Sequence, residues 1–306
     1  MFREHALLLV AHGSARYADA ARVVEAHAAA LRAEGVFAAV AVGLLNGTPE
    51  AALVLAGLPA PIVHVVPFFM EAGWFTQTAV PRALGLDGPV TQRNGRVLRY
   101  AAPVGTHAGM AAVIEDRVLR TIEASLQPSC PVLLSSLQPL LSPRPLSSPQ
   151  SLSPIAGPSA ATGGSADGTR VETSRGDVDA HDTGGADRPA LLVVGHGSAR
   201  SPGRVTALHG HVARLATTGR FRHVAAAFLE EPPFAAAAIA RFRGVPLAVV
   251  GFFAGEGGHV RDDLPALIAA ERAHRGTGGP PLLDCGSIGE APAIRRIILD
   301  LVVAAT

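Results

Sequence analysis

Three residues have the types and settings suited to holding a divalent metal ion: His196, Glu230 and His259. His196 follows the four apolar residues LLVV across Gly195 and lies between Gly195 and Gly197, whose missing side chains let backbone or ligand approach the ring. Glu230 comes at the end of AAFLE, immediately after an apolar stretch, and His259 lies in GEGGHVRDDLP, beyond a third apolar run. Two imidazoles and a carboxylate make an open site for iron, cobalt, nickel or zinc, with positions left for water or substrate. A lone histidine at a strand end is ordinarily a satisfied structural residue, and a lone loop acid is ordinarily solvated. The set of three is what points to a metal. Glu231, beside Glu230, reads as an ordinary solvated acid.

These residues can meet only if the elements carrying them converge. The spacing predicts strands at 191–194, 223–229, 247–253 and 282–285, and helices around 204–217, 233–242 and 263–273, with a last helix from 292. Unbroken apolar strands alternating with helices indicate a parallel sheet covered on both faces. Such doubly wound α/β sheets bind ligands outside the carboxyl ends of their strands. The polar residues expected there are His196 and Ser198, then Glu230 and Glu231, then Glu256 and His259.

The chain repeats itself. LLLVAHGSAR, starting at Leu7, returns as LLVVGHGSAR, starting at Leu191, an offset of 184 residues that continues without a gap through Phe37/Phe221, Pro49/Pro233, Phe68/Phe252 and Gly105/Gly289. Two homologous halves follow, 1–127 and 189–306, joined by 128–188. That joining stretch is rich in Ser, Pro, Gly, Ala, Thr and Asp, so it reads as a flexible tether with at most a marginal strand at 132–134. The first half keeps His12, but Asn46 stands opposite Glu230 and Phe75 opposite His259. One working metal site is therefore expected, in the second half, with the first supplying a wall of the cleft. Trp74 and Phe75 suit stacking on a flat ligand there, although core packing is the more common role of such residues.

Composition excludes several classes. The 306 residues suit about two domains, and 48% hydrophobic content suffices for a sizeable core. Every basic residue is arginine, so neither a P-loop lysine nor a Schiff-base lysine exists. A net charge of +1 carries no nucleic-acid footprint. GHGSAR lacks the dinucleotide fingerprint, and His196 with Ser198 in one loop, without a GxSxG elbow, does not make a hydrolase. The apolar run at 6–11 is too short for a signal peptide and reads as a first buried strand. No stretch approaches the roughly 18 apolar residues of a membrane span. With Cys130 and Cys285 in no disulfide pattern, a reducing cytoplasmic setting is expected.

The order HGS, FLE, FF with GGHVRDDLP, and finally GSIGEAPAI resembles the class II chelatases of tetrapyrrole biosynthesis, above all the sirohydrochlorin cobaltochelatases and ferrochelatases. The resemblance covers both halves and omits the tether. It implies two Rossmann-like lobes facing across a cleft, and insertion of Co²⁺ or Fe²⁺ into a sirohydrochlorin-like tetrapyrrole without ATP or any nucleotide cofactor, in siroheme or cobalamin biosynthesis. Its metal-binding residues map to His196, Glu230 and His259. Many long members carry the intact set in the first half, whereas this chain carries it in the second. A polycarboxylate substrate calls for cations, and Arg200, Arg204 and Arg261 are placed to pair with carboxylates. Gly197 and Ser198 are the alternative, donating to a carboxylate from a helix N-terminus. Because the two lobes can pair within one chain, a monomer suffices to form the cleft. A carrier or scaffold that binds metal or tetrapyrrole without turnover is the rival reading, resting on the ligands lost from the first half.

Overall fold

A computed structural model of the chain describes residues 2–14, 21–125, 181–182, 188–198, 206–255, 257 and 259–306, with the backbone alone at 181–182 and 259–260. The tether through 180 and the strand considered at 132–134 lie outside the described residues, as do Arg200 and Arg204.

The first lobe contains β1 (Phe2–Ala11), α1 (Arg22–Ala33), β2 (Phe37–Leu44), α2 (Ala51–Gly57), β3 (Ile62–Pro67), α3 (Val80–Leu84), β4 (Val90–Arg93), β5 (Arg96–Tyr100) and α4 (Met110–Ser125). The second contains β6 (His181–Asp182), β7 (Ala190–Gly195), α5 (Thr206–Thr217), β8 (His223–Phe228), α6 (Ala235–Arg241), β9 (Leu247–Gly251), α7 (Leu264–Arg275), β10 (Leu282–Ser287) and α8 (Ile294–Ala304). The sheets run β2-β1-β3-β5-β4 and β10-β9-β7-β8-β6. Apart from β4 and β6, antiparallel at opposite edges, all pairings are parallel. Register repeats as well: Leu8 pairs with Ala41 and Val65, and Leu192 with Ala225 and Val249.

Alternation along the strands divides the core. Ala6, Leu8 and Val10 face the outer helices α2 and α3, while Ala190, Leu192 and Val194 face α6 and α7. The intervening residues Leu7, Leu9, Leu191 and Val193 point inward, into a single apolar cluster shared with α1, α4, α5 and α8. At about 2 kcal/mol for each fully buried Leu or Ile, that shared layer joins the lobes through the hydrophobic effect itself.

The polar contacts between lobes repeat in a two-fold manner. His27 Nε2 donates to the Gly289 carbonyl at 2.8 Å, and His211 Nε2 donates to the Gly105 carbonyl at 2.7 Å. Each partner lies 184 residues from its counterpart, so the contact is isologous within one chain: i meets j, and j meets i. Burial holds both imidazoles below the ordinary histidine range.

Two elements depart from expectation. Residues 90–100 form a hairpin in the first lobe, turning at Asn94 (φ 50°) and Gly95 (φ 72°), and 181–182, within the stretch read as tether, pair with β8 and become the sheet edge.

Acid sensitivity follows from His64 in β3, which is 0% exposed and lies 2.9 Å from His5. Burial, with the charges of His5 and Arg99, pushes its pKa down to about 4. Below the ordinary histidine value the unfolded chain takes up a proton that the folded chain refuses, so stability declines as pH falls from about 6.5 toward 4. His27 and His211 act in the same direction. Glu71 and Glu115, raised chiefly by burial, oppose it near the carboxylate range. Thermal melts should show a loss of about 2 kcal/mol from His64 by about pH 5, and a shallower decline in His64→Phe. Equal slopes in both proteins would contradict this assignment.

Candidate metal site

The strand order reverses between β7 and β9, and at such a switch point the loops after the two strands diverge and open a crevice. His196 follows β7, and His259 opens the turn after β9, while Glu230 follows β8 on the other side of β7. Backbone bonds lock the first two loops together. Leu229 N–H donates to the Gly195 carbonyl and Glu230 N–H to the His196 carbonyl, at 3.2 and 3.0 Å. The side chains accordingly meet, with His196 Nδ1 3.6 Å from Glu230 Oε2, both about half exposed to the cleft.

His196 Nδ1 also donates to the Gly197 carbonyl at 3.0 Å. A carbonyl only accepts, so Nδ1 carries the proton and Nε2 the lone pair. This is the arrangement by which a carbonyl orients a metal-binding imidazole. The carbonyl is aimed by Gly197, whose φ of 76° lies in the left-handed region, and a Cβ there would come within 2.9 Å of Glu231 Cγ and Phe228 Cβ.

The same bonds recur in the first lobe. Leu45 N–H donates to the Ala11 carbonyl and Asn46 N–H to the His12 carbonyl, and His12 Nδ1 donates to the Gly13 carbonyl. Here the second position is an amide, and Asn46 Nδ2 approaches His12 Nε2 at 3.5 Å, on the nitrogen that would otherwise face a metal.

The third position opens a wide π-turn in each lobe, Phe75–Ala79 and His259–Asp263, so His259 lies in the first turn of a helical segment rather than in the loop expected from sequence. The turns are pinned alike, by Gln77 N–H to the Gly73 carbonyl and Arg261 N–H to the Gly257 carbonyl. In the first lobe this geometry brings the Phe75 ring edge-on to His12, with centroids 4.5 Å apart. Trp74 packs on Phe75 yet stays 63% exposed, and Phe75 is 37% exposed, which leaves an aromatic ledge facing solvent.

Glu231 is a correction. Read from sequence as a solvated acid, it is 2% exposed, and the more accessible carboxylate is Glu230. The loop after β8 folds its side chain beneath Gly197. Glu71, singled out by no sequence pattern, also bears on the site. Its two carboxylate oxygens accept from Ala207 and Leu208 N–H, each at 3.0 Å, at the start of α5 in the other lobe. The loop bearing the aromatic ledge therefore abuts the helix that follows the His196 loop. Ser198 lies in the His196 loop, and Arg261 is exposed on the π-turn. Cys285 is buried, its thiol pushed up to about 12, and takes no part in exposed chemistry.

The CbiX family profile matches residues 6–121 and 190–305, one match for each lobe. The chain belongs to the CbiX family. A probable sirohydrochlorin cobaltochelatase of Halobacterium salinarum is 26% identical over 277 residues, covering 85% of this chain and 75% of that protein. Among solved structures, a multi-domain Deinococcus radiodurans protein described as similar to chelatases, with two additional novel domains, superposes with a TM-score of 0.65 at 24% identity. It covers 97% of this chain, which spans only 54% of that protein. SirB from Bacillus subtilis with Fe³⁺ gives a TM-score of 0.60 at 14% identity, covering 99% and 95% of the two chains. The architecture of this CbiX-family chain is thus that of the two-lobed chelatases. Among the described residues no helix is long and apolar enough to cross a membrane.

Proposed function

We propose that this protein is a metal chelatase that inserts Co²⁺ or Fe²⁺ into sirohydrochlorin or a closely related tetrapyrrole, at a single site formed by His196, Glu230 and His259. The observation that carries this reading is the meeting of His196 and Glu230 at 3.6 Å, beside a turn whose first-lobe twin turns its side chain onto the matching histidine. The name of the Halobacterium relative supports the substrate class.

The reaction exchanges one M²⁺ for two pyrrole protons and needs no redox step. Neutral imidazoles hold the ion through single lone pairs and release it to the macrocycle, and imidazolium cannot ligate, so acid abolishes binding. The macrocycle lies between the metal residues and the first-lobe ledge of Trp74 and Phe75, with His12 in that opposite wall. Arg261, with Arg200 and Arg204, meets its carboxylates, and Ser198 donates to one of them.

Anaerobic incubation with sirohydrochlorin and Co²⁺ or Fe²⁺, followed in the visible spectrum, tests this directly. Multiple turnovers are expected, and a single stoichiometric change would identify a carrier instead. Glu230→Gln separates its two possible duties. As a ligand, its loss weakens Co²⁺ affinity at least about tenfold; as proton acceptor alone, affinity is retained and insertion slows about a hundredfold.

A further inference from the structure

Helix α5, which follows the His196 loop, takes its N-terminal cap from the opposite lobe. Four N–H groups at a helix start lack intrahelical partners, and the positive end of the helix attracts an anion. Glu71 answers both demands, one oxygen on Ala207 N–H and the other on Leu208 N–H. The residue matched to Glu71 in the second lobe is Gly255, and among the described residues α1 of the first lobe shows no such side-chain cap. Among them, the clamp serves the lobe that carries His196, Glu230 and His259.

Glu71 also lies within electrostatic reach of buried Glu231, whose charge adds to burial in raising the Glu71 carboxyl and whose Cγ lies under Gly197, the residue whose carbonyl orients the imidazole. In the other direction along the chain, Glu71 leads within four residues to Phe75. One side chain thus links the metal wall of the cleft to its aromatic wall. Burying a carboxylate opposes stability even when it is hydrogen-bonded, so the clamp contributes geometry more than net folding energy.

We propose that Glu71 is a positioning residue for metal insertion: by fixing the start of α5 across the lobe boundary, it sets the aim of His196 and the width of the cleft. This rests on the metal site proposed above. A natural control sits at the far end of the same helix, where Arg220 Nε meets Glu115 Oε1 at 3.1 Å and also bridges the lobes, about 18 Å away along α5.

The test is titration of the full-length wild type, Glu71→Ala, Glu71→Gln and Arg220→Ala with Co²⁺ alone, read by cobalt absorption, together with steady-state kinetics on sirohydrochlorin and thermal melts. Glu71→Ala is expected to weaken Co²⁺ about tenfold or more and to lower kcat more than it raises KM. Glu71→Gln, with one acceptor left, falls between, and Arg220→Ala stays within about twofold of wild type. If Glu71→Ala does not fold, the Glu71→Gln and Arg220→Ala comparison decides alone. Equal weakening in the Glu71 and Arg220 variants, or unchanged affinity in folded Glu71 variants, overturns the inference. Wild-type Co²⁺ binding that ignores His259→Ala would instead sink the metal-site reading beneath it.

Discussion

Replacing His259 with alanine should abolish metal insertion, lowering turnover by at least about a hundredfold, whereas His12→Ala should lower it by less than about tenfold. The difference follows from the asymmetry of the lobes. His12 has Asn46 on its Nε2 side and Phe75 against its ring, an amide and a hydrocarbon where a metal would need a carboxylate and an imidazole. On the proposed reading it serves as a wall of the cleft. His259 opens the turn that in the first lobe points its side chain at the matching histidine. With three protein ligands and several solvent positions, losing one imidazole removes a large share of the affinity for the ion. Steady-state assays at saturating Co²⁺ and sirohydrochlorin check both variants. Equal losses would contradict the assignment of the site to one lobe.

The second large effect is on folding. Gly289→Ala should destabilise the protein by about 3 kcal/mol, because a Cβ there would lie 2.5 Å from the carbonyl oxygens of both Phe253 and Ala254. Backbone cannot swing aside as a side-chain tip can. Gly289 also donates its N–H to the Phe253 carbonyl and receives His27 from the other lobe, so a shift strains two contacts together. Its twin Gly105 is equally tight, with a Cβ 2.2 Å from the Met70 carbonyl. Either alanine variant should lower the melting temperature by roughly 10 °C, and a shift under about 2 °C would contradict the packing argument. The displaced Phe253–Ala254 segment leads toward His259, so Gly289→Ala should also weaken metal binding in whatever protein remains folded.

Much of this was legible in the chain because the duplication keeps its register. An offset unbroken from His12 to Gly105 predicts matched backbone bonds, and pairs such as Glu230 to His196 and Asn46 to His12 repeat at that spacing. The strands are apolar and buried on both faces, which makes their type plain from sequence. The hairpin at 90–100 breaks the repeat, since 276–281 in the second half makes no β4 counterpart, although Asn94-Gly95 is a strong turn signal. The burial of Glu231 is not legible in sequence, since burial of a loop acid depends on which way the chain turns after β8, and no periodicity encodes that. Glu71 was invisible for a related reason. Its partners are backbone N–H groups 136 and 137 residues away in the other lobe, and a backbone donor leaves no signature in sequence.

The proposed chemistry requires one ion held by His196, Glu230 and His259. Diffraction from crystals soaked in Co²⁺, recorded at the cobalt absorption edge, measures this without reference to turnover. The expected result is one anomalous peak in the second lobe, about 2.0–2.2 Å from His196 Nε2 and an imidazole nitrogen of His259, with the Glu230 carboxylate turned toward it. A peak seated on His12, or imidazoles of His196 and His259 too far apart to share a cation, would contradict it.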